Sequence, residues 1–142
     1  MPRIARVVLP KYHHHKSVRD SILNSVSATP DAAMPRIARV VLPKYPHHVT
    51  QRGNRRQEIF FSDDDYRLYL KLVSEACRQH KTAVWAYCLM PNHVHLVMVP
   101  KKEDGLRASL AEAHRQYSRQ INFRQDWRGH LWQERFHSCP MD

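Results

Sequence analysis

Residues 82–99, which read TAVWAYCLMPNHVHLVMV, decide the fold that this sequence predicts. Residues 82–90 are apolar almost throughout, and this composition is typical of a strand that is buried on both faces or nearly so. Pro91 and Asn92 form a turn signal, and residues 93–99 are predicted to be the returning strand. The stretch therefore predicts an antiparallel hairpin in the middle of a sheet.

The sequence on both sides of this hairpin predicts two helices and a further strand. Residues 47–53, HHVTQRG, are rich in β-forming side chains. Ser62 precedes three aspartates and marks a helix start, because its hydroxyl can cap the helix and negative charge favours a helix N-terminus. Apolar residues then recur at helical spacing from Tyr66 to about His80. The second predicted helix has one apolar face, formed by Leu106, Leu110, Ala113, Tyr117 and Ile121.

A last strand is predicted at residues 131–136, LWQERF, after Gly129 breaks the second helical pattern. The predicted order is then strand, helix, strand, strand, helix, strand. This order is typical of an α+β fold of the split βαβ kind, in which the helices cover one face of an antiparallel sheet.

The N-terminal part of the chain contains a duplication. Residues 1–12, MPRIARVVLPKY, recur without change at residues 34–45, and the sequence between the copies has no sustained periodicity. Two copies are too few for a solenoid, which needs at least about three repeats to bury a continuous core. We therefore predict that residues 1–33 are a duplicated extension and that residues 34–142 form the domain, with Met34 as its natural first residue.

The composition predicts a cytoplasmic protein that attracts polyanions. The chain has 23 Lys and Arg against 13 Asp and Glu, a formal net charge of +10, which favours nucleic acid or an anionic membrane surface as a partner. No apolar run approaches the roughly 20 residues that span a bilayer. The three cysteines are scattered, without a CxxC spacing, which indicates free thiols in a reducing compartment.

His93 and His95 interrupt an apolar strand directly after its turn. Alternate side chains of a strand point to the same face, so both imidazoles are predicted on one face while Val94 points to the core. Two histidines at this spacing can bind one divalent ion together with a third protein ligand or several waters. They are also compatible with two hydrogen-bonded surface histidines, but their position favours a metal site.

Basic and aromatic side chains alternate near the C-terminal end, and a second basic cluster follows the first strand. Single-stranded nucleic acid is bound by cations that follow the phosphates and by flat rings on which bases stack. Neither predicted helix has a wholly basic polar face, so DNA is favoured over a membrane surface. The candidate DNA-binding residues are Arg52, Arg55, Arg56, Arg115, Arg119, Arg124, Trp127 and Arg128.

Three motifs resemble the REP-associated branch of the HUH single-tyrosine transposases. They are HHVTQRGNRR at 47–56, AYCLMPNHVHLVMVP at 86–100 and GHLWQERF at 129–136, and the resemblance covers about residues 34–138. It implies a ferredoxin-like core, DNA transposition, and single-stranded or hairpin DNA as the partner. It also implies that His93 and His95 are the HUH pair that binds Mg²⁺ or Mn²⁺, and that DNA is cut and rejoined through a 5′-phosphotyrosine intermediate.

The chain departs from this family after the motif at 129–136. In the family, the nucleophilic tyrosine and usually a third metal ligand lie on a helix that follows, whereas residues 137–142 contain no tyrosine. We therefore expect a domain that is truncated at its C-terminus and inactive as given. Tyr117 is the candidate for a substitute nucleophile, but it lies on the apolar face of its helix, which favours a role in the core.

The sequence is also compatible with two functions other than an active transposase. A non-catalytic DNA-binding remnant of such a transposase accounts for the missing tyrosine helix. A phosphoesterase with two His-x-Thr motifs is the more distant alternative: residues 48–50 (HVT) fit its motif, but residues 93–95 (HVH) lack the required Ser or Thr.

Overall fold

The structure, a computed structural model, describes residues 3–5 by their backbone and residues 39–141 in full. These residues form five strands, two α-helices and a short 3₁₀ turn at Asn54–Arg56. The strands are β1 (Arg3–Ala5), β2 (His47–Arg52), β3 (Thr82–Met90), β4 (His93–Pro100) and β5 (His137–Pro140). The helices are α1 (Asp63–Gln79) and α2 (Gly105–Gln125).

The strands form one antiparallel sheet in the order β1-β3-β4-β2-β5. Both helices pack on the same face of this sheet, since their buried side chains share one core with the inward side chains of β2, β3 and β4. The chain order of β2, α1, β3, β4, α2 and β5 is the split βαβ arrangement. The predicted α+β fold is therefore confirmed.

The core lies between the sheet and the two helices. Val94, Leu96 and Met98 alternate along β4 and are at most 1% exposed, as period-2 burial requires. All five residues that were predicted on the apolar face of α2 are buried: Leu106, Leu110, Ala113, Tyr117 and Ile121. Among the described residues, neither α-helix is both long enough and apolar enough to cross a bilayer.

The last strand lies further along the chain than the sequence pattern predicts. Residues 131–136 do not form a strand: they contribute one isolated bridge, between Gly53 and Trp132, and β5 begins at His137. Leu131 is 1% exposed and Trp132 packs against the core, so this segment is fixed by its side chains as it crosses the end of β2. Ladder pairing with β2 starts with Thr50 opposite His137.

The two copies of the duplicated segment lie at opposite edges of the sheet. The first copy supplies β1, in which Arg3 to Ala5 pair with Leu89 to Tyr87 at the edge of β3. The second copy approaches the opposite edge, where the Arg39 guanidinium donates to the Phe136 carbonyl oxygen at 2.8 Å. Most of residues 1–38 lie outside the described part of the chain, so the predicted boundary at Met34 stays a prediction.

The segment before β5 is held by a buried aromatic cluster around His114. The His114 and Trp132 rings stack with centroids 4.2 Å apart, and His114 Nε2 is hydrogen-bonded to the Tyr69 hydroxyl at 2.9 Å. The Trp132 indole donates to the His114 carbonyl oxygen at 3.3 Å. Burial lowers the pKa of His114 from 6.5 to about 3, so this imidazole is neutral in the folded protein.

Acid is expected to destabilise the fold through His114. The ring stays neutral when folded but takes up a proton in the unfolded chain below pH 6.5, so protons favour unfolding between 6.5 and about 3. Going from about pH 7.5 to about pH 5 should cost ~2 kcal/mol, and burial of His47 acts in the same direction. Chemical unfolding at both pH values measures this loss. His114→Gln, which cannot titrate, should show a shallower loss, and an identical loss would contradict the assignment.

Deletion of residues 1–33 is expected to leave the melting temperature nearly unchanged. Among the described residues, the deletion removes a three-residue edge strand. Its loss should lower the free energy of unfolding by under about 1 kcal/mol and the melting temperature by roughly 4 °C at most. Ile4→Pro in the full chain is the matched control, because it disrupts β1 pairing and leaves the rest of the extension in place. A much larger loss on deletion would show that the extension packs on the domain.

Candidate functional site

The outer face of the sheet, opposite the helices, carries the polar side chains of β2, β4 and β5. His48, Thr50 and Arg52 are the less buried positions of β2, and they alternate with buried His47, Val49 and Gln51. The register pairs Thr50 with His95 on one side and with His137 on the other, while Arg52 pairs with His93. These strands form the floor of a cleft of about 420 Å³. Its lining is Thr50, Gln51, Arg52, His93, His95, Gln133, Glu134, Arg135 and His137.

Three imidazoles cluster at this cleft. The His93 and His95 ring centroids lie 5.0 Å apart, so the structure brings the predicted pair together on one face. His48 stacks parallel to His95 at a centroid distance of 5.3 Å, with its Nε2 atom 3.1 Å from His95 Nδ1. Burial, followed by the neighbouring His93 and His48 rings, lowers the pKa of His95. The lowered pKa favours the neutral form of His95, which is the form that binds metal ions.

Asn92 connects His93 to the loop that follows β2. Its Oδ1 atom lies 2.7 Å from His93 Nδ1, and its Nδ2 donates to the Arg56 carbonyl oxygen at 3.3 Å. The backbone of Asn92 is also tied to this loop, since its carbonyl oxygen accepts the Gly53 N–H at 2.8 Å. The turn that begins the histidine strand and the arginine loop are thus joined by hydrogen bonds.

The arginine loop, residues 53–57, is a tight structure with two exposed cations. A Cβ atom at Gly53 would lie 2.4 Å from the Gln57 carbonyl oxygen, so only glycine allows this close approach. Arg55 and Arg56 have left-handed backbone conformations, with φ of 54° and 58°. Non-glycine residues in this region carry strain, which accumulates at functional sites. Both side chains are exposed, on the loop that follows Arg52 of the cleft lining.

The other candidate DNA-binding residues lie on α2 or after it, away from this cleft. Arg115 pairs with Glu112 at 3.1 Å, and Arg119 is exposed on the helix. Arg124 makes a two-pronged ion pair with buried Asp65, with N–O distances of 2.7 and 2.8 Å. Trp127 and Arg128 are exposed after the helix, where the Trp127 ring lies edge-on to Phe61 at 5.7 Å.

Tyr117, the candidate substitute nucleophile, lies in the core. Its side chain is fully buried on the helix side of the sheet, and its hydroxyl donates to the Ile59 carbonyl oxygen. Burial raises the pKa of this phenol, and so does the nearby Asp65 carboxylate. Among residues 39–141, no tyrosine lines the cleft that contains His93 and His95.

The donor set fits a divalent ion that keeps part of its hydration shell. Imidazole nitrogen prefers first-row transition ions to Mg²⁺, whereas Mg²⁺ and Mn²⁺ favour oxygen ligands, and an Mg²⁺ site commonly retains several waters beside one or two protein ligands. Within residues 39–141, three or more His, Cys, Asp or Glu side chains do not converge on a common metal position. The described residues therefore provide two candidate ligands, His93 and His95, with Glu134 and His137 elsewhere in the same cleft.

Sequence reasoning missed several residues of this cleft. His48 lies in the family motif at 47–56 and Asn92 in the motif at 86–100, but neither residue was predicted as part of the site. Glu134 was predicted only as part of the strand at 131–136, and His137 follows that predicted strand and carried no signal of its own. His48 could have been found from alternation alone, since it shares a strand face with Thr50 and Arg52.

Comparison with known proteins identifies the family. The family model described as "Transposase IS200 like" matches residues 42–142, which is more than half of the chain. The chain therefore belongs to the IS200-like transposases, and the membership that its three motifs predict is confirmed. A search of curated protein sequences gave no match.

Two solved structures share the fold. A REP-associated tyrosine transposase bound to a REP hairpin is 18% identical, with a TM-score of 0.62; the match covers 77% of this chain and 63% of that protein. A Deinococcus radiodurans protein assigned to the transposases is also 18% identical, with a TM-score of 0.57, and the match covers 76% of this chain and 87% of that one. This chain thus matches less than two thirds of the hairpin-bound protein.

Proposed function

We propose that this transposase domain binds hairpin DNA across the outer face of its sheet and holds one phosphate beside a divalent ion at His93 and His95. The observation that carries the proposal is the pair of imidazoles in one cleft with Arg52, whose strand leads into the loop with the exposed Arg55 and Arg56. The chain's formal charge of +10 supports a polyanionic partner. The related structure bound to a REP hairpin supports DNA hairpins as the class of partner.

The two parts of the cleft have different tasks in this proposal. Arg52, Arg55 and Arg56 neutralise backbone phosphates and fix the register of the DNA, as most protein–DNA contacts do. His93 and His95 bind Mg²⁺ or Mn²⁺. When bound, such an ion polarises the scissile phosphate and stabilises charge on the leaving oxygen.

An exposed aromatic pair, Phe61 and Trp127, lies outside the cleft. Phe61 and Trp127 are 39% and 37% exposed and contact one another. Phe61 follows Phe60, whose N–H is hydrogen-bonded to the carbonyl oxygen of Pro91, in the turn before the histidine strand. These rings offer a stacking surface for an unpaired base of a single-stranded extension.

Residues 39–141 supply binding and metal coordination in this proposal, and no nucleophile. The tyrosine on which the family reaction depends must be presented at the cleft with its oxygen in line with the leaving group, because such positioning accounts for many powers of ten in rate. Tyr117 is held in the core by its hydrogen bond to Ile59 and does not meet this requirement.

Replacement of His93 and His95 by alanine is expected to abolish Mn²⁺ binding by the domain. The measurement is calorimetric titration of Mn²⁺ in a parent protein whose His13, His14 and His15 are already alanine, so that this histidine run cannot contribute. His130→Ala, which alters an exposed histidine that does not line the cleft, is the matched control. Binding that persists in the double variant would place the metal site elsewhere.

DNA binding is expected to depend strongly on salt, because each neutralised phosphate releases counterions. Changing Arg55 and Arg56 together to glutamine should reduce the slope of log K against log salt by about 1.5, since each phosphate contact contributes about 0.7 to 0.9. Arg67→Gln on the exposed side of α1 should leave the slope unchanged. If Arg67→Gln changed the salt dependence of hairpin binding as much as the Arg55 and Arg56 double variant does, the arginine loop would not be part of the DNA interface.

Trp127→Ala is expected to weaken binding of a hairpin with a single-stranded extension by about 1–3 kcal/mol, the usual value of one stacked base. Binding of a fully paired duplex of the same length should change little, because its bases are not available for stacking on a protein side chain. Fluorescence anisotropy with both DNAs measures the difference. Equal losses for the two DNAs would show that the ring acts through stability or charge.

A further inference from the structure

The hydrogen bonds of the two candidate metal ligands bear on which ring nitrogen of each carries the free lone pair. In a neutral imidazole one nitrogen carries the proton and the other carries a lone pair, and only the lone pair can bind a metal ion. The partner of one nitrogen therefore decides whether the other is able to bind. Both His93 and His95 have such a partner at Nδ1, namely Asn92 and His48.

Asn92 fixes the proton of His93. An amide oxygen can only accept, so the Asn92 Oδ1 atom at 2.7 Å requires the hydrogen to be on His93 Nδ1. The orientation of the amide follows from its other end, because its NH₂ group donates to the Arg56 carbonyl oxygen at 3.3 Å. A reversed amide would lose that contact. His93 is thereby left with its lone pair on Nε2.

His48 performs the corresponding task for His95. The contact of 3.1 Å between His48 Nε2 and His95 Nδ1 holds one hydrogen, which belongs to one ring or the other. If it belongs to His95, the Nε2 lone pair of His95 is free for a metal ion; if it belongs to His48, His95 carries its proton on Nε2 and cannot bind. His48 is exposed, so water can pair with its other ring nitrogen in either arrangement, and metal binding through His95 Nε2 requires the first.

We propose that Asn92 and His48 are positioning residues that hold His93 and His95 in the Nδ1–H tautomer, so that both Nε2 atoms can bind the same divalent ion. The inference rests on the proposed metal site at His93 and His95. Partners of this kind set ring orientation and ligand basicity, and their loss commonly weakens metal binding by about 10–100-fold. Asn92 also ties the metal pair to the arginine loop through its contact with Arg56.

Two pairs of variants separate tautomer control from simple structural support. His48→Gln keeps an acceptor close to the position of Nε2, whereas His48→Leu removes it. Asn92→Asp keeps the acceptor for His93 but loses the donor to Arg56, whereas Asn92→Leu loses both. All are made in the background without His13–His15, and a melting curve for each confirms that it is folded.

The first readout is the tautomer of each ring in the metal-free protein, from long-range ¹H–¹⁵N NMR spectra at a pH where the rings are neutral. The inference predicts Nδ1–H for His93 and His95 in the parent, and a shift of His93 towards Nε2–H in Asn92→Leu and of His95 in His48→Leu. The glutamine and aspartate variants should keep the parent tautomers. Nε2–H as the main form of either ring in the parent would overturn the inference for that ring.

The second readout is Mn²⁺ affinity by titration. Each leucine variant should bind about 10–100-fold more weakly than the parent, while His48→Gln and Asn92→Asp should stay within a few-fold of it. Equal losses in the glutamine and leucine variants would overturn the role of His48 as an acceptor and indicate direct ligation. Equal losses in the aspartate and leucine variants would assign the effect of Asn92 to its contact with Arg56.

Failure of the underlying metal site gives a different pattern. If His93→Ala with His95→Ala binds Mn²⁺ as tightly as the parent, the proposed metal site is wrong, whatever the tautomers are. If the double variant loses the metal but all four single variants bind like the parent, the metal site stands and the positioning roles of Asn92 and His48 are wrong.

Discussion

The register between β2 and β4 is the constraint on which the site depends. It pairs Arg52 with His93 and Thr50 with His95, and so aligns the outward side chains of two neighbouring strands. The inward side chains of the same strands, Val49 and Val94 among them, are fully buried. A slip by one residue would exchange the two sets and bury imidazoles in place of apolar side chains. The hydrophobic core therefore fixes the position of the candidate metal ligands, although the core lies on the inner face of the sheet and the ligands lie on the outer face.

The part of the cleft that residues 133–137 form depends on contacts between residues that are distant in sequence. The Asn54 N–H donates to the Leu131 carbonyl oxygen at 2.8 Å, and the Gln133 N–H donates to the Arg52 carbonyl oxygen at 2.9 Å. Together with the stacking of Trp132 on His114, these bonds carry the segment before β5 along the end of β2. Glu134 and His137 reach the cleft because of this path. The buried neutral His114 thus links the stability of the core to the shape of the site.

The sequence pattern predicts the parts of the structure that follow from local periodicity. The central hairpin, both helices and the shared face of His93 and His95 result from alternation and helical spacing, and the structure contains all of them. The predicted position of β5 was wrong, because LWQERF is anchored by the side chains of Leu131 and Trp132 rather than by strand pairing. The bond between His48 and His95 joins residues 47 positions apart, and the ion pair of Arg124 with Asp65 spans 59. No local pattern encodes such pairs, because tertiary packing brings them together.

The central claim is that DNA binds on the outer face of the sheet rather than on the helices. The most direct measurement is an NMR titration of the ¹⁵N-labelled domain with a short DNA hairpin in the presence of Mg²⁺. Binding on this face should change the amide signals along β2, β4 and the arginine loop, including Thr50, Arg52 and His95, and leave those around Arg67 on the exposed side of α1 unchanged. Changes confined to the helices, with the signals of the sheet face unaltered, would contradict it.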